Sequence, residues 1–229
     1  MERSDVFKPI LVFNHRFAAR DIIQISGLYN VPMKTTIFNT PILSRLFHYL
    51  AKLMMRLVGW RVDGKLPDLP KFVLIGAPHT SNWDFVLFLG LIFSLRANVR
   101  FMGKAEVFRN PFGWFFYYCG GIPVDRKKST GLVDQMVQAC NESERFILTI
   151  APEGTRHYVT EWKHGFYHIA KNAGIPIVMA VVDGRHKTVR VGRVFHPTED
   201  MEEDMKTIQG FFEGVVGINP RRKYITLKI

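Results

Sequence analysis

The chain contains His79-Thr80-Ser81-Asn82-Trp83-Asp84, an H-x-x-x-x-D element between the apolar run Phe72-Val73-Leu74-Ile75 and a second apolar run over 85–95. Five residues along a regular helix rotate by about 140°, so the imidazole and the carboxylate cannot meet if both are helical. His79 must stand before a helix. Ser81-x-x-Asp84 has the form of a capping box, with Ser81 at the N-cap and Asp84 in the first turn. From there Asp84 reaches back to the His79 ring. A carboxylate accepting from one ring nitrogen fixes the tautomer and frees the other nitrogen to take a proton from a hydroxyl. That is two-thirds of a triad, and the substrate itself can be the nucleophile. A capping carboxylate next to an ordinary turn histidine has the same spelling, so the chemistry needs a second block.

Pro152-Glu153-Gly154-Thr155-Arg156 is that block, and it follows the apolar stretch over 146–150. Ligands of open α/β sheets bind at the carboxyl ends of strands, and His79 also follows a strand. If the two strands are parallel neighbours, both turns emerge on one edge. Arg156 offers a fork of donors that matches a phosphate, Gly154 lets backbone approach a ligand, and Glu153 can orient the arginine. A turn with an ion pair attached is the plainer reading of the same residues.

Taken in order, these blocks resemble the glycerophospholipid acyltransferase family, whose members include the 1-acylglycerol-3-phosphate acyltransferases. The resemblance covers roughly residues 60–190. His79 to Asp84 matches the first block, Gly121-Ile122-Pro123-Val124-Asp125-Arg126 the second, Pro152 to Arg156 the third and Ile175-Pro176-Ile177-Val178 the fourth. Met179 stands where many members have a second proline, and Ala151 replaces the usual Phe before Pro-Glu-Gly. The resemblance implies transfer of a fatty acyl group from a thioester, on acyl carrier protein or coenzyme A, to the hydroxyl of a lysophospholipid. His79 is then the general base and Asp84 its orienter, with no metal and no cofactor beyond the thioester co-substrate. Glu153, Gly154, Thr155 and Arg156 become substrate-binding residues. Lys104, Arg126 and Lys163 join them as a cationic cluster for a phosphate head group, whereas Lys127 and Lys128 are read as solvated or facing anionic lipid. No G-x-S-x-G elbow or catalytic cysteine signature competes for the nucleophile's role. Backbone N–H groups around Gly154 are candidate donors to the tetrahedral oxyanion. 1-Acylglycerol-3-phosphate is the default acceptor. The alternatives are another lysolipid such as lyso-ornithine lipid, a remodelling transacylase, or a non-catalytic lipid-binding protein of the same fold.

These residues have to be positioned by a single domain. At 229 residues, 47% hydrophobic and 22% charged, the chain suits one well-buried α/β unit and is too short for two. The formal charge of +11 implies an anionic partner. Phe and Met concentrated in helical segments favour an anionic membrane surface, and the absence of Arg/Lys-rich recognition helices or aromatic strand motifs argues against nucleic acid. Cys119 and Cys140 form no C-x-x-C and imply neither a disulfide framework nor a metal site, so the cytosolic side is the natural compartment. No apolar run reaches the roughly 18 residues of a membrane span, and the N-terminus lacks a signal-peptide pattern. Contact with a membrane should be peripheral, at the cytoplasmic face.

The periodicity divides the chain into an N-terminal extension over 1–40, expected to be poorly ordered, an amphipathic helix within 41–60 and an acyltransferase-like domain over 61–229. In the helix, Leu43, Leu46, Phe47, Leu50, Leu53, Met54 and Leu57 recur at three- and four-residue steps, with Arg45, His48, Lys52 and Arg56 between them. Such a helix suits a membrane interface and equally suits packing on the domain. Strands are expected near 72–76, 99–102, 146–150, 176–182, 189–195 and 224–229. Helices are expected near 84–95, 130–141, 161–172 and from a Thr198 cap to about 216. This alternation means a mostly parallel or mixed central sheet covered by helices. The aromatic segment over 112–118 and the helix over 85–95 can line an acyl channel or simply form core.

Overall fold

The computed structural model describes residues 22–25, 29–32, 36–124, 131–157 and 159–219. They open with β1 (Ile22–Ile25), paired antiparallel to β2 (Tyr29–Pro32), and a 3-10 turn at Ile37–Asn39. Helix α1 (Pro41–Leu57) has proline in its first turn, where a missing N–H costs nothing. It stops at Gly59, whose φ of +74° allows Gly59 N–H to donate to Arg56 and Trp60 N–H to Met55. Strand β3 (Arg61–Asp63) precedes β4 (Lys71–Ala77), which leads into α2 (Trp83–Ser94). Then come β5 (Arg100–Lys104), the short helices α3 (Ala105–Arg109) and α4 (Gly113–Tyr118), and β6 (Gly121–Val124). The chain continues through α5 (Leu132–Glu142), β7 (Phe146–Ile150), α6 (Gly165–Ala173), β8 (Ile177–Asp183), β9 (Thr188–Phe195) and α7 (Met201–Gly210).

Seven strands form one sheet in the order β3-β9-β8-β4-β7-β5-β6. Every neighbouring pair is parallel except β8 with β9, so the sheet is mostly parallel, as the alternation of elements predicts. β4 lies at its centre, and alternate side chains enter two cores. Phe72 and Leu74 pack with Met55 of α1 and with Leu87 and Leu91 of α2. Val73, Ile75 and Ala77 pack with Met136 of α5, with Phe166 and Ile169 of α6, and with Ile208 of α7. Burial on both faces explains the unbroken apolar run before His79.

α1 lies on α2 through a narrow stripe. Ser44, Ala51 and Met55 are buried, and a Cβ on Gly90 would come within 2.6 Å of Met55 Sδ. The broad apolar side of α1 points away: Ile42 is 81%, Leu46 58%, Leu50 53%, Leu53 54% and Leu57 77% exposed. Domain packing and an outward apolar face thus coexist on one helix. The aromatic segment is chiefly core. Phe85 contacts Phe88, Phe101 and Phe116 at centroid distances of 5.3–6.0 Å, while Phe112 and Trp114 remain exposed.

Several boundaries differ from the periodicity. α7 starts at Met201, capped by Asp200, which accepts from Glu203 N–H at 3.0 Å. Thr198 instead donates through Oγ1 to Asp204, four residues beyond the cap. The short elements β3, α3, α4 and β6 have no periodic signature because each is only three to six residues long. The strand expected over 224–229 and most of the extension over 1–40 lie outside the described residues.

Candidate active site

β4 and β7 are parallel neighbours, with Ile75 opposite Ile150, so the turns that follow them emerge side by side at the carboxyl edge. β5 is the next strand beyond β7 and ends in Lys104 on the same edge. Parallel pairing thus brings three separated stretches of sequence to one ligand-facing border.

The first turn is built around Asp84. Its Oδ2 accepts from Thr80 N–H at 2.6 Å and Ser81 N–H at 2.7 Å, and lies 3.0 Å from His79 Nδ1. Only half of the expected capping box forms. Asp84 satisfies the Ser81 amide, but Ser81 Oγ accepts from Trp83 N–H at 3.2 Å, and the helix cap falls at Asn82. That one-residue shift leaves Asp84 in the first turn, free to serve the imidazole. With two backbone donors already on Oδ2, the third partner must also donate, which puts the proton on Nδ1 and a lone pair on Nε2. The carboxylate side chain is 7% exposed and the imidazole 29%, so the carboxylate is sheltered and the ring is open to the edge of the sheet.

The third block closes on the same turn. Glu153 accepts the His79 backbone N–H in both carboxylate oxygens, at 3.0 and 3.1 Å. Its carboxylate therefore ties the turn over 152–156 to the turn that carries His79. Burial pushes the Glu153 carboxyl up to about 7, against the pull of the His79 N–H and ring; Asp84 nearby pushes in the same direction as burial. Gly154 turns with φ +64° and donates its N–H to Ala151 O at 3.0 Å, so this amide belongs to the turn and is not a spare oxyanion donor. A Cβ at Gly154 would meet Lys163 Cδ at 2.9 Å, which shows the lysine stem lying across the glycine. Lys163 N–H also donates to Pro152 O, anchoring the residue beside this turn. Thr155 Oγ1 accepts from His157 N–H at 3.3 Å, and Arg156 is exposed.

His79, Asp84, Glu153, Gly154, Thr155, Arg156, Lys104 and Lys163 all lie on these neighbouring turns or strand ends. Arg126 falls in 125–130, outside the described residues; the β6 strand that leads to it is parallel to β5. One contact has no sequence signal: Asn219 N–H donates to Thr80 Oγ1 at 3.1 Å, across 139 positions. Neither cysteine offers a nucleophile. Both are buried, and burial pushes the Cys119 thiol up to about 12 and also raises Cys140. Among the described residues, no group of three His, Cys, Asp or Glu side chains is arranged to hold a metal ion.

Comparison with known proteins agrees with this arrangement. A 1-acyl-sn-glycerol-3-phosphate acyltransferase of Streptococcus pneumoniae is 28% identical over 151 residues, covering 61% of this chain and 55% of its own. The protein of that name from Saccharomyces cerevisiae is 32% identical over 149 residues, 62% of this chain and 48% of its own. That from Haemophilus influenzae is 26% identical over 162 residues, 68% and 65%. The chain thus spans about half to two-thirds of the length of these relatives. The crystal structure of the 1-acyl-sn-glycerophosphate (LPA) acyltransferase PlsC from Thermotoga maritima superposes with a TM-score of 0.55 at 19% identity, over 74% of this chain and 76% of that one, and shares its fold. The family described as Acyltransferase matches residues 61–183, more than half of the chain and all three turns of the site, and the chain belongs to that family.

Proposed function

We propose that this protein transfers a fatty acyl group from a thioester of coenzyme A or acyl carrier protein to the hydroxyl of a lysophospholipid, with 1-acylglycerol-3-phosphate as acceptor and phosphatidic acid as product. The observation that carries the proposal is the His79–Asp84 pair, at 3.0 Å, with an accessible Nε2 and no protein nucleophile in hydrogen-bonding contact with it among the described residues. Nε2 removes the acceptor's hydroxyl proton as that oxygen attacks the thioester carbonyl carbon. The C–O bond forms, the carbonyl oxygen takes negative charge, and Asp84 stabilises the imidazolium. Collapse of the tetrahedral species breaks the C–S bond, and the thiolate leaves with the proton from Nε2. Arg156, Lys104, Lys163 and Arg126 are the cations for the acceptor's phosphate, a role supported by the shared strand edge for the first three.

The same reading has the protein attached peripherally at the cytoplasmic face of a membrane through α1. Its outward stripe of Leu46, Leu50, Leu53 and Leu57 supports this, and no helix among the described residues is long and apolar enough to cross a bilayer. The test is thiol release from acyl-coenzyme A and acyl carrier protein with a panel of lysolipids, followed by mass spectrometry of the lipid product. Phosphatidic acid formed by the wild type and lost in His79→Ala is the expected result. Acylation confined to lyso-ornithine lipid would replace the acceptor. Vesicle binding without thiol release from any pair would make the protein a lipid binder.

A further inference from the structure

A second concentration of positive charge lies well away from the catalytic turn. An open cleft of 670 Å³ is walled by the last turns of α1, the start of β3 and the end of α2. Four cations line it, Lys52, Arg56, Arg61 and Lys65, and no carboxylate does. α2 starts beside His79 and ends at the cleft, so its twelve residues separate the two places by about 18 Å. Lys52 and Arg56 are four apart on one helix face, where like charges repel, and neither has an acidic partner in an ion pair among the described residues. The carboxyl ends of α1 and α2 attract cations, but two helix ends supply only about one negative charge between them. Most of the positive charge is left uncompensated.

Four cations around a concave surface are the chemistry of phosphate recognition. The apolar stripe of α1 decides which phosphate. Leu53 and Leu57 flank Lys52 and Arg56 along the helix and are strongly exposed, so a phosphate in the cleft has an apolar surface beside it for acyl chains. A soluble phosphate ester makes no use of that surface.

We infer that this cleft is a headgroup site for the phosphate of an anionic phospholipid, separate from the acceptor site and fixing how the protein sits on the membrane. The inference rests on the membrane attachment proposed for α1 and not on the catalytic reading.

The experiment uses the full chain with phosphatidylcholine vesicles, with and without phosphatidylglycerol. Lys52→Gln with Arg61→Gln should lower partition onto the anionic vesicles by about tenfold or more, following the attraction of each basic residue near such a surface. Arg145→Gln with Arg193→Gln removes the same charge at exposed positions outside the cleft and should cost much less. Equal losses in the two double variants would overturn the site in favour of diffuse attraction. Trp60 lines the cleft, so the part of the fluorescence change on lipid addition that Trp60→Phe removes reports occupancy. If inorganic phosphate produces that change and vesicles do not, the lipid assignment is wrong. Thiol release in detergent micelles should be unaltered in all cleft variants, which separates this outcome from failure of the catalytic proposal.

Discussion

Glu153→Gln should stabilise the protein above neutral pH and leave its stability nearly unchanged near pH 4. Burial raises the Glu153 carboxyl from 4.5 to about 7, and the donor it has in the fold is the His79 N–H. Between those values the folded chain keeps a proton that the unfolded chain has released. Stability therefore falls as pH rises through that window and levels off above about 7. At about 1.4 kcal/mol per pH unit the full shift is worth about 3 kcal/mol, and partial exposure of the residue reduces this to about 2 kcal/mol. Glutamine has the same shape, accepts the His79 N–H through its amide oxygen and carries no charge to desolvate. Urea denaturation of both proteins at pH 4, 5, 6, 7 and 8 should show a gap that opens from near zero at pH 4 to about 2 kcal/mol, or about 4–8 °C in Tm for a chain of this size. Taking the difference between the two proteins cancels other titrations. A gap independent of pH, or a wild type more stable at pH 8, would refute the burial argument. Activity separates shape from charge: Glu153→Gln should retain most turnover, whereas Glu153→Ala, which leaves the His79 amide unpartnered, should lose it.

His79→Ala should lower the transfer rate by ~10²–10⁴ with an unchanged melting curve, and full activity there would end the general-base mechanism. Asp84→Asn should lower turnover less than His79→Ala, because its amide oxygen can take the place of Oδ2 and still orient Nδ1 while the charge that stabilises the imidazolium is lost; unchanged turnover would reduce Asp84 to a turn-former. Leu46→Glu with Leu53→Glu, at positions 58% and 54% exposed, should abolish vesicle binding measured by flotation while leaving circular dichroism intact. Unfolding of that variant would assign the stripe to the core. Arg156→Lys should raise the KM for a phosphate-bearing lysolipid more than that for the thioester, by the ~1.5–3 kcal/mol of a charged hydrogen bond, and equal changes for donor and acceptor would remove Arg156 from the head-group site.

The sequence carries the central architecture clearly because burial and connectivity are periodic. The apolar runs at 72–75 and 146–150 mark neighbouring parallel strands, and the helix expected over 84–95 appears one residue earlier as α2. The His/Asp pairing is legible from helical geometry alone. Two features are not. Glu153 is an acid next but two to an arginine, and local spacing carries no sign of its bond to the His79 amide, which follows from β7 lying beside β4, a pairing that spacing leaves conditional. The membrane and packing readings of α1 are indistinguishable in one dimension because both need apolar residues. They separate only when Ala51 and Met55 are seen on α2 with Leu46 and Leu53 on the opposite side.

The way the turn is tied bears on how the reaction is divided among residues. The His79 N–H is held by Glu153, those of Thr80 and Ser81 by Asp84, and that of Gly154 by Ala151. The Thr80 hydroxyl in turn receives the Asn219 amide, and Gly184 N–H, at the end of β8, fixes the segment leading to Asn219 by donating to Val216 O at 2.7 Å. Four stretches distant in sequence thus hold one imidazole, and its position depends on the whole carboxyl edge of the sheet. The donors that make the base rigid are the same amides that would otherwise meet a developing oxyanion. On the proposed mechanism, the negative charge of the tetrahedral species then meets groups other than these four amides. On that mechanism, a base held this firmly is what accurate placement of one acceptor hydroxyl requires.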